Sequence, residues 1–96
     1  MINKRGPDLL PVNLTIKSQG ETLKFPVTYY NRTPDEIQAE IKREGGNVIT
    51  FVIKEWELPF DLAEAGLKEM EECRPGMLEA IMTAYHEARG SELVKN

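Results

Sequence analysis

The sequence predicts a small α+β domain in which an N-terminal β-hairpin or small antiparallel sheet packs with about three α-helices. Three observations predict this fold class. Apolar and polar residues alternate over residues 12–17 and again over 23–29, which indicates two strands. A capping motif at Thr33 predicts a helix. Apolar residues at helical spacing beyond Asp61 then predict a C-terminal helical pair. At 96 residues, the chain suits one domain with a single core.

The two predicted strands form a hairpin across the turn that Gly20 provides. Every second residue of both segments is apolar: Val12, Leu14, Ile16, Leu23, Phe25, Val27 and Tyr29. Because Pro26 has no N–H to donate, we expect the second strand to lie at an edge of the sheet or to contain a bulge.

The first helix has the clearest local signal. Thr33 and Glu36 form a capping box, and Pro34 suits the first helical position. Gly45 and Gly46 indicate the end of this helix.

Residues 48–56 fit two interpretations. Their β-branched content favours a strand, which we predict for residues 48–54. The apolar residues Ile49, Val52, Ile53 and Trp56 also recur at helical spacing, so a helix remains the alternative.

The C-terminal pair is predicted over residues 59–90. Asp61 is the predicted N-cap of its first helix, with Glu64 in the reciprocal position. Pro75 separates the two helices and lies near the first turn of the second, which ends at Gly90. Residues 1–10 are expected to form a flexible arm and residues 91–96 a short tail, so the whole chain, 1–96, is one domain.

Charge and composition exclude several classes of partner. The net charge of −4 is concentrated in residues 48–96, which have a net charge of −5, while residues 1–47 have +1. This balance argues against nucleic acid as a partner. No apolar run is long enough for a membrane helix, and the N-terminus has no secretory signal pattern. The single Cys73 cannot form an internal disulfide, which fits a reducing cytoplasm.

The sequence contains few residues of the types that act in catalysis or bind metal ions. His86 is the only histidine and Cys73 the only cysteine, and the two lie a helix apart. The acidic residues of "EMEEC" surround their helix instead of sharing one face. We therefore predict no catalytic site, no metal site and no cofactor, and expect a protein that is not an enzyme.

Protein binding remains as the predicted activity. Met70, Met77 and Met82 give the helical pair a methionine-rich face, and methionine packs adaptably against varied partners. The alternative is that these methionines form the core at helical spacing. Trp56 poses the same choice between an anchor of the fold and a contact residue.

The chain resembles the tail assembly chaperones of long-tailed bacteriophages and prophages. The N-terminal part carries a "PV" start at 11–12 and "YNRTPDEIQAEI" at 30–41. The C-terminal part carries the family's landmark positions, which are here Trp56, Phe60, Pro75, Ile81, Tyr85, Lys95 and Asn96. The resemblance covers most of the chain from Pro11 onward.

The resemblance implies a non-enzymatic assembly factor. Such a chaperone binds the tape measure protein in the host cytoplasm, keeps it soluble and promotes polymerisation of tail-tube subunits, with the major tail protein as a possible second partner. It is absent from the mature virion, and the 96 residues would be the shorter of two frameshift-related forms.

A groove between the last two helices is the predicted binding site for an apolar helix of that partner. Trp56, Met70, Met77, Met82 and Tyr85 are predicted to form this groove, and Phe60 is a further predicted protein-binding residue. Self-association is possible. The alternative functions are a small cytoplasmic interaction or regulatory module unrelated to tails, or a minor structural component of a phage particle.

Overall fold

The computed structural model describes residues 2–94 and has the predicted α+β fold. Lys95 and Asn96, the last two landmarks of the resemblance, lie outside the described residues. Within that range the elements are β1 (Leu9–Ser18), β2 (Glu21–Tyr30), α1 (Pro34–Lys42), α2 (Val48–Val52), β3 (Ile53–Trp56), α3 (Glu64–Cys73) and α4 (Met77–Arg89).

The structure confirms the hairpin that the alternation of apolar and polar residues predicts. β1 and β2 pair in antiparallel register from Leu9 opposite Tyr30 to Ser18 opposite Glu21. Both turn residues have positive φ, 52° at Gln19 and 85° at Gly20. These angles fit a type I′ turn, whose twist matches that of the paired strands. β1 begins at Leu9 and so includes the last two residues of the predicted arm.

The expectation of an edge position for the second strand was wrong, because β2 is the central strand of a sheet ordered β1-β2-β3. The carbonyl of Pro26 accepts a hydrogen bond from the Glu57 N–H at 3.4 Å, just beyond the end of β3. The ring nitrogen of Pro26 faces the same side of β2. Because β3 ends at Trp56, opposite Val27, the missing N–H of Pro26 removes no hydrogen bond between β2 and β3. The alternative expectation, a bulge in this strand, agrees with the structure, because a bulge or register irregularity lies two residues further on, between Thr28 and Tyr29.

The start of α1 follows the predicted capping box. The Thr33 hydroxyl accepts a hydrogen bond from the Glu36 N–H at 3.2 Å, and the Glu36 carboxylate accepts one from the Thr33 N–H at 2.8 Å. Pro34 occupies the first helical position, as predicted. The helix ends at Lys42, and the Gly46 N–H then donates to the Arg43 carbonyl at 2.9 Å.

The strand predicted for residues 48–54 was wrong over 48–52, which form the short helix α2, and right from Ile53 onward. The side chain of Asn47 caps this helix by accepting hydrogen bonds from the N–H groups of Ile49 and Thr50, at 3.0 and 3.3 Å. An asparagine cap therefore overrides the β-branched propensity of the five residues that follow it.

Two predicted helix starts in the C-terminal pair were displaced. α3 begins at Glu64 with Ala63 as its N-cap, so Asp61 does not cap it. The main chain of Asp61 instead packs against Gly66, where an added Cβ would overlap it. α4 begins after Gly76, whose φ is 89°, so Pro75 precedes the helix. Arg74 leaves helical geometry before Pro75 and Gly90 caps the end of α4, both as predicted.

The core lies between the sheet and the last two helices. Its fully buried large side chains are Tyr29, Tyr85, Met70, Met77, Ile81, Val27 and Val52. Every second residue of β2 and every fourth residue of α4 contributes, which is the pattern that the sequence predicts for one face of each element. No helix among residues 2–94 has the length and apolar character needed to cross a membrane.

Candidate protein-binding surface

The six predicted binding residues divide into two groups of three. Met70, Met77 and Tyr85 are 0%, 1% and 0% exposed and belong to the core, which is the alternative that the sequence left open for the methionines. Trp56, Phe60 and Met82 are half-buried and pack against that core with part of each side chain at the surface. A partner could touch the first three only if the helices separated.

Tyr85 joins two parts of the fold. Its hydroxyl accepts a hydrogen bond from the Arg32 N–H at 3.0 Å and donates to the Arg32 carbonyl at 3.2 Å. Its ring lies 5.2 Å from that of Tyr29, whose hydroxyl donates to the Ile81 carbonyl at 2.8 Å. These contacts fix α4 to the end of β2, so the role that the structure gives Tyr85 is in packing.

Trp56 holds the loop that follows β3. It pairs with Val27 in the sheet, and its indole N–H donates to the Phe60 carbonyl at 2.9 Å. The bond closes residues 56–60 into a compact turn with the ring of Trp56 against the core. The structure therefore supports the anchor interpretation of Trp56 and brings Phe60 beside it.

A cleft of about 320 Å³ opens between β2 and residues 57–60 of this loop. Its apolar lining comes from Leu23, Phe25, Leu58 and Phe60. Neither Leu23 nor Leu58 was among the residues predicted from the sequence to bind a partner. The sequence does contain one signal, because Leu58, Phe60 and Leu62 recur at every second position. In the structure all three are half-buried, in a segment that pairs with no strand.

The rim of the cleft is charged. Lys24, Glu57 and Arg74 lie at its edge. Arg74 is held in place by the Ser18 hydroxyl at 3.2 Å and the Glu21 carboxylate at 3.1 Å. Glu21 is 65% exposed and Arg74 26%, so their ion pair contributes little to stability. Together with the exposed Lys24 and Glu57, it places charge around an apolar floor.

The titratable groups with shifted pKa values lie outside the cleft. The hydrogen bond from the Thr33 N–H lowers the pKa of Glu36, and Arg43 and the Asn47 N–H together lower that of Glu40. Burial raises the pKa of the Tyr29 hydroxyl. Each shift has a structural cause in a helix cap or in the core, so none of them marks a reactive group in the cleft.

His86 and Cys73 are both exposed, on α4 and at the end of α3. Residues 2–94 contain no cluster of three or more histidine, cysteine, aspartate or glutamate side chains placed to hold a metal ion. No protein-family model, curated protein sequence or solved structure matches this chain.

Proposed function

We propose that the chain is a tail assembly chaperone of a long-tailed bacteriophage or prophage. In this role it binds the tape measure protein in the host cytoplasm, keeps it soluble and promotes polymerisation of the tail tube, without enzymatic activity. The sequence resemblance supports the family, and the cleft beside Trp56 and Phe60 is the observation that supports binding of an apolar segment.

The cleft can accept one row of apolar side chains from a helix of the tape measure protein before that helix is packed into the tail. Leu23, Leu58 and Phe60 offer partly exposed apolar surface above the buried Phe25. Covering such surface contributes roughly 25 cal/mol per Å² before the cost of ordering the partner. A turn already closed by Trp56 lowers that cost, because the binding loop has little freedom left to lose.

Acidic charge supports the solubilising part of the proposal. Residues 48–96, which include the loop and both C-terminal helices, have a net charge of −5. A complex that covers apolar stripes of the partner and carries this charge outward repels other copies of itself.

The predicted residues take different roles under this proposal. Phe60 contacts the partner in the cleft and Trp56 positions the loop, whereas Met70, Met77 and Tyr85 hold the helices that support the surface. Met82 is half-buried on α4 and is not among the residues that line the cleft, so a contact there would extend beyond it. Met82 is the methionine to test for contact, because a charge at the buried Met77 would unfold the protein instead.

The test is co-expression with the tape measure protein of the same phage, scored by the fraction of that protein that stays in solution. The wild-type chain should raise this fraction, and the double variant Leu58→Ser and Phe60→Ser should abolish the increase. Ile41→Ser is the control, because Ile41 is an apolar residue of α1 that is 55% exposed and does not line the cleft. Thermal melts establish that each variant is folded.

Two results would decide against parts of the proposal. A tape measure protein that is equally soluble without the chain would overturn the chaperone function. If the wild-type chain and the folded double variant protect it equally, the function stands and the cleft is not the site.

A further inference from the structure

The outer edge of β1 carries unpaired backbone groups. Ser18 and Glu21 flank a two-residue turn, so they form a hydrogen-bonded pair, and such pairs then alternate along the hairpin. The Asn31 N–H donates to the Asp8 carbonyl at 2.9 Å, which agrees with this alternation at the other end. The N–H and C=O groups of Asn13, Thr15 and Lys17 therefore point away from β2, and within residues 2–94 they have no backbone partner.

A groove runs beside this edge. It consists of two adjoining cavities of about 480 and 730 Å³ between β1 and α4. Ala80, Ala84 and Ala88 recur one turn apart along its helical wall, and the carboxylates Glu79, Glu87 and Glu92 also line the groove. The small side chains of the alanines leave room for another chain. Val12 and Ile16, on the helix side of β1, are only half-buried, so the apolar face of the sheet is incomplete at this edge.

We propose that this edge binds the same edge of a second copy of the chain, with the two β1 strands antiparallel about a two-fold axis at Thr15. This inference goes beyond the proposed chaperone function and does not depend on it. Thr15 of the two copies would pair with each other, and Asn13 of each with Lys17 of the other. Each outward N–H and C=O of these residues then has a partner, giving six backbone hydrogen bonds in all.

The side chains of β1 fit this register. On the open face, Lys17 lies opposite the neutral Asn13 of the second copy, so this cross-strand pair does not bring like charges together. On the helix face, Leu14 lies opposite Ile16 of the second copy, which completes the apolar layer beside the alanines of α4. Pro11, whose nitrogen also points outward, falls beyond the paired stretch.

The proposed pairing would also stop at two copies. The resulting sheet has six strands with β3 at both outer edges. β3 is only four residues long and exposes Lys54 and Glu55, features that discourage further strand addition. The proposed association therefore gives a dimer and not an open-ended sheet of many copies.

The experiment is sedimentation of the full chain from micromolar to millimolar concentration. The wild type should approach twice its monomer mass of 10.9 kDa. Thr15→Pro should remain monomeric, because it removes an outward donor without touching the bonds to β2. Lys24→Pro is the matched control: Lys24 lies opposite Thr15, and its N–H points to the other side of β2.

Asn13 tests the register itself without a backbone change. Asn13→Asp places a carboxylate opposite Lys17 of the second copy, and Asn13→Lys places a second ammonium there. Because the pair occurs twice, the dissociation constant of the dimer should fall several-fold with aspartate and rise several-fold with lysine. Equal constants for the two variants would overturn the register.

Amide hydrogen exchange gives a measurement on the unmodified chain, independent of whether the proline variants fold. Protection at Asn13, Thr15 and Lys17 should rise with protein concentration. A wild type that is monomeric at every concentration, or a dimer whose three amides exchange as in the monomer, would overturn the proposal.

Discussion

Trp56 is held by two interactions that can be separated by substitution. Trp56→Phe keeps an aromatic ring against the core and removes the hydrogen bond to the Phe60 carbonyl, which should cost about 1 kcal/mol. Trp56→Ala also removes the ring, and since the side chain is half-buried we expect about 2–3 kcal/mol. Urea unfolding measures both values. Trp56 would not be an anchor if the alanine variant were as stable as the wild type.

Gly66 should respond to alanine in the opposite way from an ordinary helical glycine. Replacing glycine inside a helix by alanine commonly stabilises it by about 1 kcal/mol. Here an added Cβ would overlap backbone atoms of Asp61, which cannot rotate away as a side chain would. Gly66→Ala should therefore lower the melting temperature. Glu69→Ala, at an exposed position of the same helix, is the control and should leave it nearly unchanged.

Tyr29 should make stability depend on alkaline pH. Burial raises the pKa of its hydroxyl above the ordinary value of 10.0. The folded state therefore keeps the proton more tightly than the unfolded chain, so this contribution is complete below pH 10.0 and is lost as the pH rises past that value. Urea unfolding at increasing pH should show a steeper decline for the wild type than for Tyr29→Phe. Parallel declines would contradict the assignment.

At the scale of the element, α1 should weaken in acid. The pKa of Glu36 is lowered mainly by the Thr33 N–H, and that of Glu40 mainly by Arg43. Their contribution is present above the ordinary pKa of 4.5 and is lost as the pH falls through the lowered values. Glu36→Gln keeps an acceptor for the Thr33 N–H but cannot titrate, so its unfolding free energy should depend less on pH between neutral and acidic conditions. An unchanged pH dependence would count against the cap.

The elements that sequence alone predicted are those with local signals. The hairpin follows from alternation and from Gly20, and α1 follows from Thr33, Pro34 and Glu36, because each of these features acts within a few residues. The segment 48–56 was harder, since its β-branched residues and its helical spacing favour different structures. The cap at Asn47 was the overlooked local signal that favours α2.

The candidate surface was predicted only in part, because it depends on tertiary packing. Trp56 and Phe60 were found as neighbours in sequence, and a hydrogen bond joins them in the fold. Leu23 reaches the same cleft from β2, a contact that no local pattern reports. Helical spacing places Met70 and Met77 on the apolar faces of their helices without deciding whether they are core or contact residues. They are buried in the structure because those faces pack into the core against the sheet.

At the scale of the whole molecule, Asn31 links segments that are distant in sequence. Its side-chain amide donates to the carbonyls of Arg5 and Pro7, at 3.1 and 2.8 Å. Its carbonyl oxygen accepts from Arg89 of α4 at 2.8 Å. One buried side chain thus joins the N-terminal segment, the end of β2 and the last helix, and Arg5 adds an ion pair to Glu36 of α1.

Asn31→Ala should therefore destabilise the molecule as a unit. The substitution leaves the Arg89 guanidinium and two backbone carbonyls without this partner, which should cost about 2–3 kcal/mol. Because all three strands and α2, α3 and α4 contribute to one core, the loss should appear as an equal shift in Trp56 fluorescence and in far-ultraviolet circular dichroism during urea unfolding. If the two signals separated in the variant, the N-terminal segment and α4 would instead unfold independently of the sheet.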